Sequence, residues 1–279
     1  MSRIEVRKTY KLYIGGAFPR SESGRTFEVR DARGNFVANA ALASRKDARD
    51  AVSAARSAVK PWMTRTAYNR GQVLYRVAEV MEGRRDQFVQ SVRLSEGVTE
   101  RKASAQVDEA IDRWVWFAGW ADKLAQVVGN ANQVAGSFFN LSTPEPTGVV
   151  AIAAPHADSL FNLVELIAPA IVSGNSVVVV SPSPIVAIEL AEVLATSDVP
   201  SGVVNVLTGQ FAEIMPWLAE HADVNGLDLA GITDQELARE LEADGAQTLK
   251  RVVRPGKIDG YRRMVNWLEI KTVWHPIGV

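Results

Sequence analysis

Apolar and polar positions change rhythm twice along the chain. Residues 10–42 carry short alternating runs cut by turn residues. The run 11–14 ends at Gly15–Gly16, and runs 27–30 and 36–42 flank the turn Ala32-Arg33-Gly34-Asn35. Such runs predict β-hairpins. Ser44 then reads as a helix N-cap, with Asp47 three residues on, in the first turn. From 46 to 128 the period becomes helical. Ala51, Ala54, Ala55 and Ala58 share one face, and Val73, Val77, Val80 and Met81 continue the spacing in a second helix. Val107, Ala110, Ile111, Trp114, Val115 and Ala118 give a third. Trp114, Trp116, Phe117 and Trp120 on that helix read as core or interface packing rather than an aromatic binding box.

Residues 137–143 read as extended and are stopped by Pro144 and Pro146, as in an arm or linker. From 148 onward, continuous apolar runs alternate with helical ones. Strands are expected at 148–154, 177–180, 203–207, 226–229 and 248–253, and helices at 158–172, 184–195, 211–221 and 233–243. This alternation predicts an α/β fold with a doubly wound, mostly parallel sheet whose central strands are buried on both faces. The tail 266–275 reads as one more strand, since Trp267, Ile270, Thr272, Val273 and Trp274 favour β structure.

Composition narrows the chemistry. The 279 residues are 47% apolar and 23% charged, with a net charge of −1. That balance gives no push toward nucleic acid or an acidic membrane. The first residues lack a signal peptide's apolar core, and no uncharged apolar run is long enough to span a bilayer. A cytoplasmic chain with no membrane partner is expected. There is no cysteine, which excludes disulfides, thiolate metal sites and a thiol nucleophile. The histidines, His156, His221 and His275, are too far apart in sequence for a short metal motif. His156 near Asp158 reads as a surface or capping pair, with Asp158 the N-cap of the following helix. Glu165, inside an apolar helix, reads as solvated or paired. Acids on 233–244 and bases on 248–263 read as two solvated faces, with partner docking the sharper alternative.

Several segments, in order, resemble the aldehyde dehydrogenase superfamily: YKLYIGGAF with SGRTFEVRDARG, ASRKDARDAVSAARSAVKPW, NRGQVLYRVAEVMEGRRDQF, EPTGVVAIAAPH, IAPAIVSGNSVVVVSPSP, PSGVVNVLTG and LEIKTVWHPIG. The resemblance implies a Rossmann-like cofactor domain over 1–135 and 148–255. It also implies a small β oligomerisation element made of an arm, 136–147, and a C-terminal strand region, 256–279. The positions it places at the cofactor crevice are Ala154, Pro155, Ser181, Gly209 and Gly231. Those it places at the subunit interface are Phe138, Phe139, Trp267, Ile270, Val273 and Trp274.

The departures from the family pattern concern the chemistry. Active members use a cysteine nucleophile, and this chain has none. The Glu-Leu-Gly-Gly segment that supplies the general base has no counterpart, because ITDQELARELEADGAQ follows Ala230–Gly231. The oxyanion-binding asparagine falls at Ala157, and losing such a donor costs ~100- to 1,000-fold in rate. The ribose-binding lysine falls at Val180 or Ser181. The second glycine of the pyrophosphate turn is Glu236, and Asp234 and Glu236 are acids suited to the helix dipole rather than to a phosphate. The family's catalytic domain would sit within the span 233–265. The resemblance therefore implies a truncated, non-catalytic pseudoenzyme with no assigned catalytic residue, metal or cofactor. It would act as a structural or regulatory subunit that oligomerises with itself or with an active paralog. The alternative is an NAD(P)-dependent aldehyde dehydrogenase subunit with residual or partner-completed activity.

Overall fold

The computed structural model describes residues 6–256 and 260–278. The chain opens with β1 (Thr9–Tyr10), β2 (Thr26–Arg30) and β3 (Phe36–Ala41), which form a small sheet in the order β1-β3-β2. Segment 11–14 forms the expected hairpin at Gly15–Gly16, where Ile14 and Ala17 exchange both main-chain hydrogen bonds at 3.0 Å, and it also reaches the main sheet. Tyr13 exchanges both main-chain hydrogen bonds with Val206, at 2.9 and 2.7 Å. The helices α1 (Arg45–Met63), α2 (Ala67–Glu82), α3 (Arg85–Glu96), α4 (Glu100–Ala118) and α5 (Leu124–Val128) follow. The start of α1 is a capping box, in which the Ser44 hydroxyl accepts from Asp47 N–H and the Asp47 carboxylate accepts from Ser44 N–H. The same carboxylate also accepts from Ser21 Oγ and Glu22 N–H, which ties the opening β layer to α1.

An arm follows, made of β4 (Asn130–Asn132) and β5 (Phe138–Pro146). The doubly wound part then runs through β6 (Val149–Ala153), α6 (Ser159–Val172), β7 (Ser176–Ser181), α7 (Pro184–Ala195), β8 (Val204–Thr208), α8 (Phe211–Glu220), β9 (Gly226–Asp228), α9 (Gln235–Ala246) and β10 (Arg251–Val253). A short α10 (Gly260–Asn266) leads into β11 (Leu268–Pro276). The main sheet is parallel in the order β10-β9-β6-β7-β8. Strand order reverses between β6 and β9, the place where doubly wound folds open a ligand crevice.

Alternation along the buried strands builds a core on each side of the sheet. Val150, Ile152, Val177, Val179, Val204 and Val206 join α2, α3, α4, α6 and α7 in one core. Val149, Ala151, Ala153, Val178, Val180 and Leu207 join α1, α8 and α9 in the other. Trp114 and Phe117 lie in the first core, as their helical spacing predicts.

The arm corrects two expectations. Pro144 and Pro146 do not end the strand. They pair with Ile270 and Leu268 of β11, while β4 covers only Asn140–Ser142 of the other edge. The missing proline N–H groups therefore fall where β5 has no second neighbour. Trp267, expected among the interface residues, is 1% exposed. It packs on Gly226 of β9, and its carbonyl accepts from Asn175 Nδ2 at 2.9 Å.

The acidic face of α9 is solvated, with Asp234, Glu236 and Glu240 exposed, but the basic segment is not a solvated face. Arg254 makes a double contact to Glu242 of α9. Arg251 donates to the carbonyls of Asn266 and Leu268, both at 2.7 Å, and Lys250 is buried. Lys257 and Asp259 lie outside the described residues.

Candidate functional site: the carboxyl edge of the parallel sheet

Ala154, Pro155, Ser181, Gly209 and Gly231 all fall just beyond or at the carboxyl ends of the parallel strands. The structure brings Ala154 and Gly231 into contact at the switch point. Gly231 N–H donates to the Ala153 carbonyl at 2.8 Å, and a Cβ on Gly231 would stand 2.7 Å from the Ala154 carbonyl. Only glycine lets the connection after β9 lie this close to β6. Pro155 begins the turn into α6. Ser181 ends β7, and its hydroxyl accepts from Ser183 N–H at 3.2 Å. Gly209 stands apart from these, against Leu42 and Ala43 at the entry to α1.

The helix ends facing this edge carry acids. At α9, Asp234 is the N-cap, and its carboxylate accepts from the N–H groups of Glu236 and Leu237 at 2.9 and 3.4 Å. A phosphate seated on a helix N-terminus uses those same donors. With Asp234 on them and Glu236 beside it, this helix end does not fit a dinucleotide pyrophosphate. Ser181 supplies no cation at the neighbouring strand end.

At α6 the cap is not Asp158, which takes a left-handed conformation with φ of 44° and makes no side-chain cap. Asp158 instead faces Lys102 at 3.5 Å. The cap comes from two other helices. Glu96, at the end of α3, accepts from Ser159 N–H and Oγ, both at 2.7 Å. Gln106 of α4 accepts from Leu160 N–H at 3.0 Å and donates to Glu96 at 3.2 Å. Nothing local in the sequence announces this cap, because its parts lie more than fifty residues from the helix they serve. His156 Nδ1 sits 2.7 Å from Ser183 Oγ rather than on Asp158. A cleft of about 470 Å³ opens over these groups, lined in part by Glu96, Lys102, His156 and Asp158.

Asp228 closes β9 at the same edge and is buried. Burial pushes its carboxyl up to about 6, while Arg263 at 3.9 Å and the Ala230 N–H at 3.1 Å pull in the other direction. The sign of the consequence follows from proton uptake. Between about pH 4 and 6 the folded chain holds a proton that the unfolded chain has lost, so folding stability falls as pH rises through that window. The expected span is about 2–3 kcal/mol. Urea unfolding at stepped pH measures it, and Asp228→Asn removes this part of the slope. An Asp228→Asn profile parallel to the parent's contradicts the assignment.

The expected interface residues Phe138, Phe139, Ile270, Val273 and Trp274 are exposed on β5 and β11. Phe138 meets Trp274 edge to face at 5.7 Å. Trp267, as above, is not among them.

Comparison with known proteins now bears on this geometry. The family model described as "Aldehyde dehydrogenase family" matches residues 18–254. Cytosolic 10-formyltetrahydrofolate dehydrogenase of Mus musculus is 30% identical, over 84% of this chain and 27% of its own length. The 2-hydroxymuconic semialdehyde dehydrogenase of Pseudomonas sp. (strain CF600) is 35% identical, over 81% of this chain and 48% of its own. Among solved structures, HpcC from Thermus thermophilus superposes with a TM-score of 0.84 at 30% identity, covering 88% of this chain and 48% of that one. The chain thus spans about a quarter to a half of the length of the relatives it matches. By the extent of the family match and the shared doubly wound fold, this chain belongs to the aldehyde dehydrogenase family.

Proposed function

We propose that the chain is a non-catalytic structural or regulatory subunit of an aldehyde-dehydrogenase-type assembly and docks through β11. The observation that carries this reading is β11 itself. Among the described residues its single neighbour is β5, and Glu269–Pro276 are all exposed. A long edge strand with apolar side chains is a template for another chain. Chemistry at the other end of the molecule supports the non-catalytic half of the reading. The chain has no cysteine, Ala157 offers no side-chain donor, and acids occupy the α9 N-terminus. The docked partner is a second copy or a cysteine-bearing member of the family.

Calorimetric titration with NAD⁺ and NADP⁺, followed by aldehyde oxidation assays, tests the catalytic side. No binding heat and no turnover by the chain alone are expected. Turnover by the purified chain would overturn the reading. Association is tested by light scattering on a chain ending at Leu268, which keeps the buried Trp267 and Leu268 and is expected to lose the oligomer. An unchanged mass would remove β11 as the docking strand.

A further inference from the structure

The carboxyl-edge crevice carries acids at its helix ends, and a second cavity has the opposite character. It is about 240 Å³ and opens on the β1-β3-β2 sheet. Thr9 of β1 and Asn39 of β3 stand side by side in register, and Thr26 of β2 stands opposite Ala41, two residues further along β3. Arg20, Ser21, Gly24 and Arg25, from segment 20–25, complete the wall. That segment is held in place. Gly24 N–H donates to the Ser21 carbonyl at 2.9 Å, and the Ser21 hydroxyl donates to the buried Asp47 carboxylate at 2.7 Å. The turn is thus tied to the start of α1, and the cavity is preorganised.

Three charged side chains line this cavity, and all are cations: Lys11, Arg20 and Arg25. Arg25 reaches Glu213 at 3.3 Å, with both groups about half exposed, and such a surface pair is weak. Lys11 and Arg20 have no ion pair among the described residues. The nearby acids are engaged elsewhere. Asp47 serves the α1 cap and Ser21, Glu22 pairs with Lys46, and Glu28 pairs with Arg30. In a chain of net charge −1, this is a local excess that the fold leaves unanswered. The side chains of Thr9, Thr26 and Asn39 also lack hydrogen-bond partners among the described residues, and each can donate.

We propose that this cavity binds a phosphate-class dianion, either inorganic phosphate or the phosphate of a small ester. Arg20 and Arg25 supply forked donors, Lys11 supplies a point charge, and the two threonines and Asn39 complete the shell. Two unpaired cations call for two negative charges, which a single carboxylate does not carry. The volume lies below the ~300–1,000 Å³ of pockets for drug-sized ligands, so it suits a phosphate with a short body and not a dinucleotide. None of these residues belongs to β5 or β11, so the site stands apart from the docking strand.

Calorimetric titration of the full chain with inorganic phosphate, glycerol phosphate and acetate tests the site. Ionic strength is held constant, because exposed charges are screened by salt. Saturable binding of one phosphate per chain is expected, with acetate at least about tenfold weaker. Lys11→Gln and Arg20→Gln are each expected to weaken phosphate binding about tenfold, the scale of one hydrogen bond to a charged group. Asn39→Asp, which sets a carboxylate among the cations at unchanged size, is expected to abolish it. Arg33→Gln, an exposed cation outside the cavity, is expected to leave it unchanged. Thermal unfolding gives a second readout. Phosphate strengthens most folds by exclusion from the surface, so the expected signal is a larger rise in Tm for the parent than for Arg20→Gln. Binding of glycerol phosphate alone assigns the ester as ligand, and tighter binding of inorganic phosphate assigns the free ion. No saturable heat from either phosphate overturns the site. Equal binding by the parent, Lys11→Gln and Arg20→Gln places an adventitious ion elsewhere and also overturns it. Acetate binding as tightly as phosphate overturns the dianion.

Discussion

Glu165→Ala is expected to lower the unfolding free energy by about 3 kcal/mol in urea titrations. Glu165 lies on the buried face of α6, with its side chain 8% exposed. Arg113 of α4 grips it with two bonds, at 2.7 and 2.8 Å. Arg263 of α10 stands 3.7 Å away on the other side and reaches on toward Asp228. The guanidinium of Arg113 also lies over Trp116 and Phe117, 4.6 and 5.1 Å from their ring centres. Removing the carboxylate leaves two guanidiniums that cannot move freely to water. Breaking a buried pair from one side costs about 3–5 kcal/mol, whereas replacing the whole pair with apolar residues is often neutral. The low end applies because Arg113 keeps some access to solvent. The double variant Arg113→Met/Glu165→Leu is therefore expected to recover most of the loss. A loss below about 1 kcal/mol for Glu165→Ala, the scale of a surface pair, would remove the network's structural role.

That network also shows where the sequence was legible and where it was not. The parallel strands could be read because burial on both faces leaves near-continuous valine and alanine runs. The cap of α1 could be read because both partners, Ser44 and Asp47, sit within one turn. The sequence alone left Glu165 as either solvated or paired, and its partners are 52 residues back and far ahead in the chain. The α6 cap failed for the same reason. Asp158 occupies the right position by local rules, but Glu96 and Gln106 reach the helix end first. Prolines 144 and 146 read as stops because the one-sided pairing of β5 depends on how short β4 is. In each miss a tertiary neighbour outweighed a local preference. The carboxyl-edge positions were legible as places but not as a group, because Gly209 faces the entry to α1 while Ala154 and Gly231 touch. The same distant pairings explain how α10 holds the arm. Arg263 and Met264 dock this short helix on the body, and β11 leaves it one residue later.

Trp267 is that residue, and Trp267→Ala is expected to cost about 3–5 kcal/mol of stability, the range for emptying a buried large aromatic site. Its ring lies on Gly226, where a Cβ would come within 2.5 Å of it. Its N–H donates to Met264, and its carbonyl accepts from both Thr147 and Asn175. The ring thus anchors β11 to the parallel sheet, while the main chain sets the register of β11 against β5. Trp274, seven residues on and 57% exposed, gives the matched comparison. Both tryptophans belong to the same strand-like run in the sequence, and nothing in β propensity separates them. Trp274→Ala should change the unfolding free energy of the isolated chain by no more than about 1.5 kcal/mol, the scale of its edge-to-face contact with Phe138. Its effect should appear as weaker association instead, because it is exposed on the proposed docking strand. Urea unfolding on dilute monomer, paired with light scattering across concentration, separates the two roles. If Trp267→Ala left the monomer's stability intact, β11 would be held by its pairing with β5 alone. If Trp274→Ala destabilised the monomer as strongly as Trp267→Ala, its exposed face would be part of the fold rather than a surface for a partner.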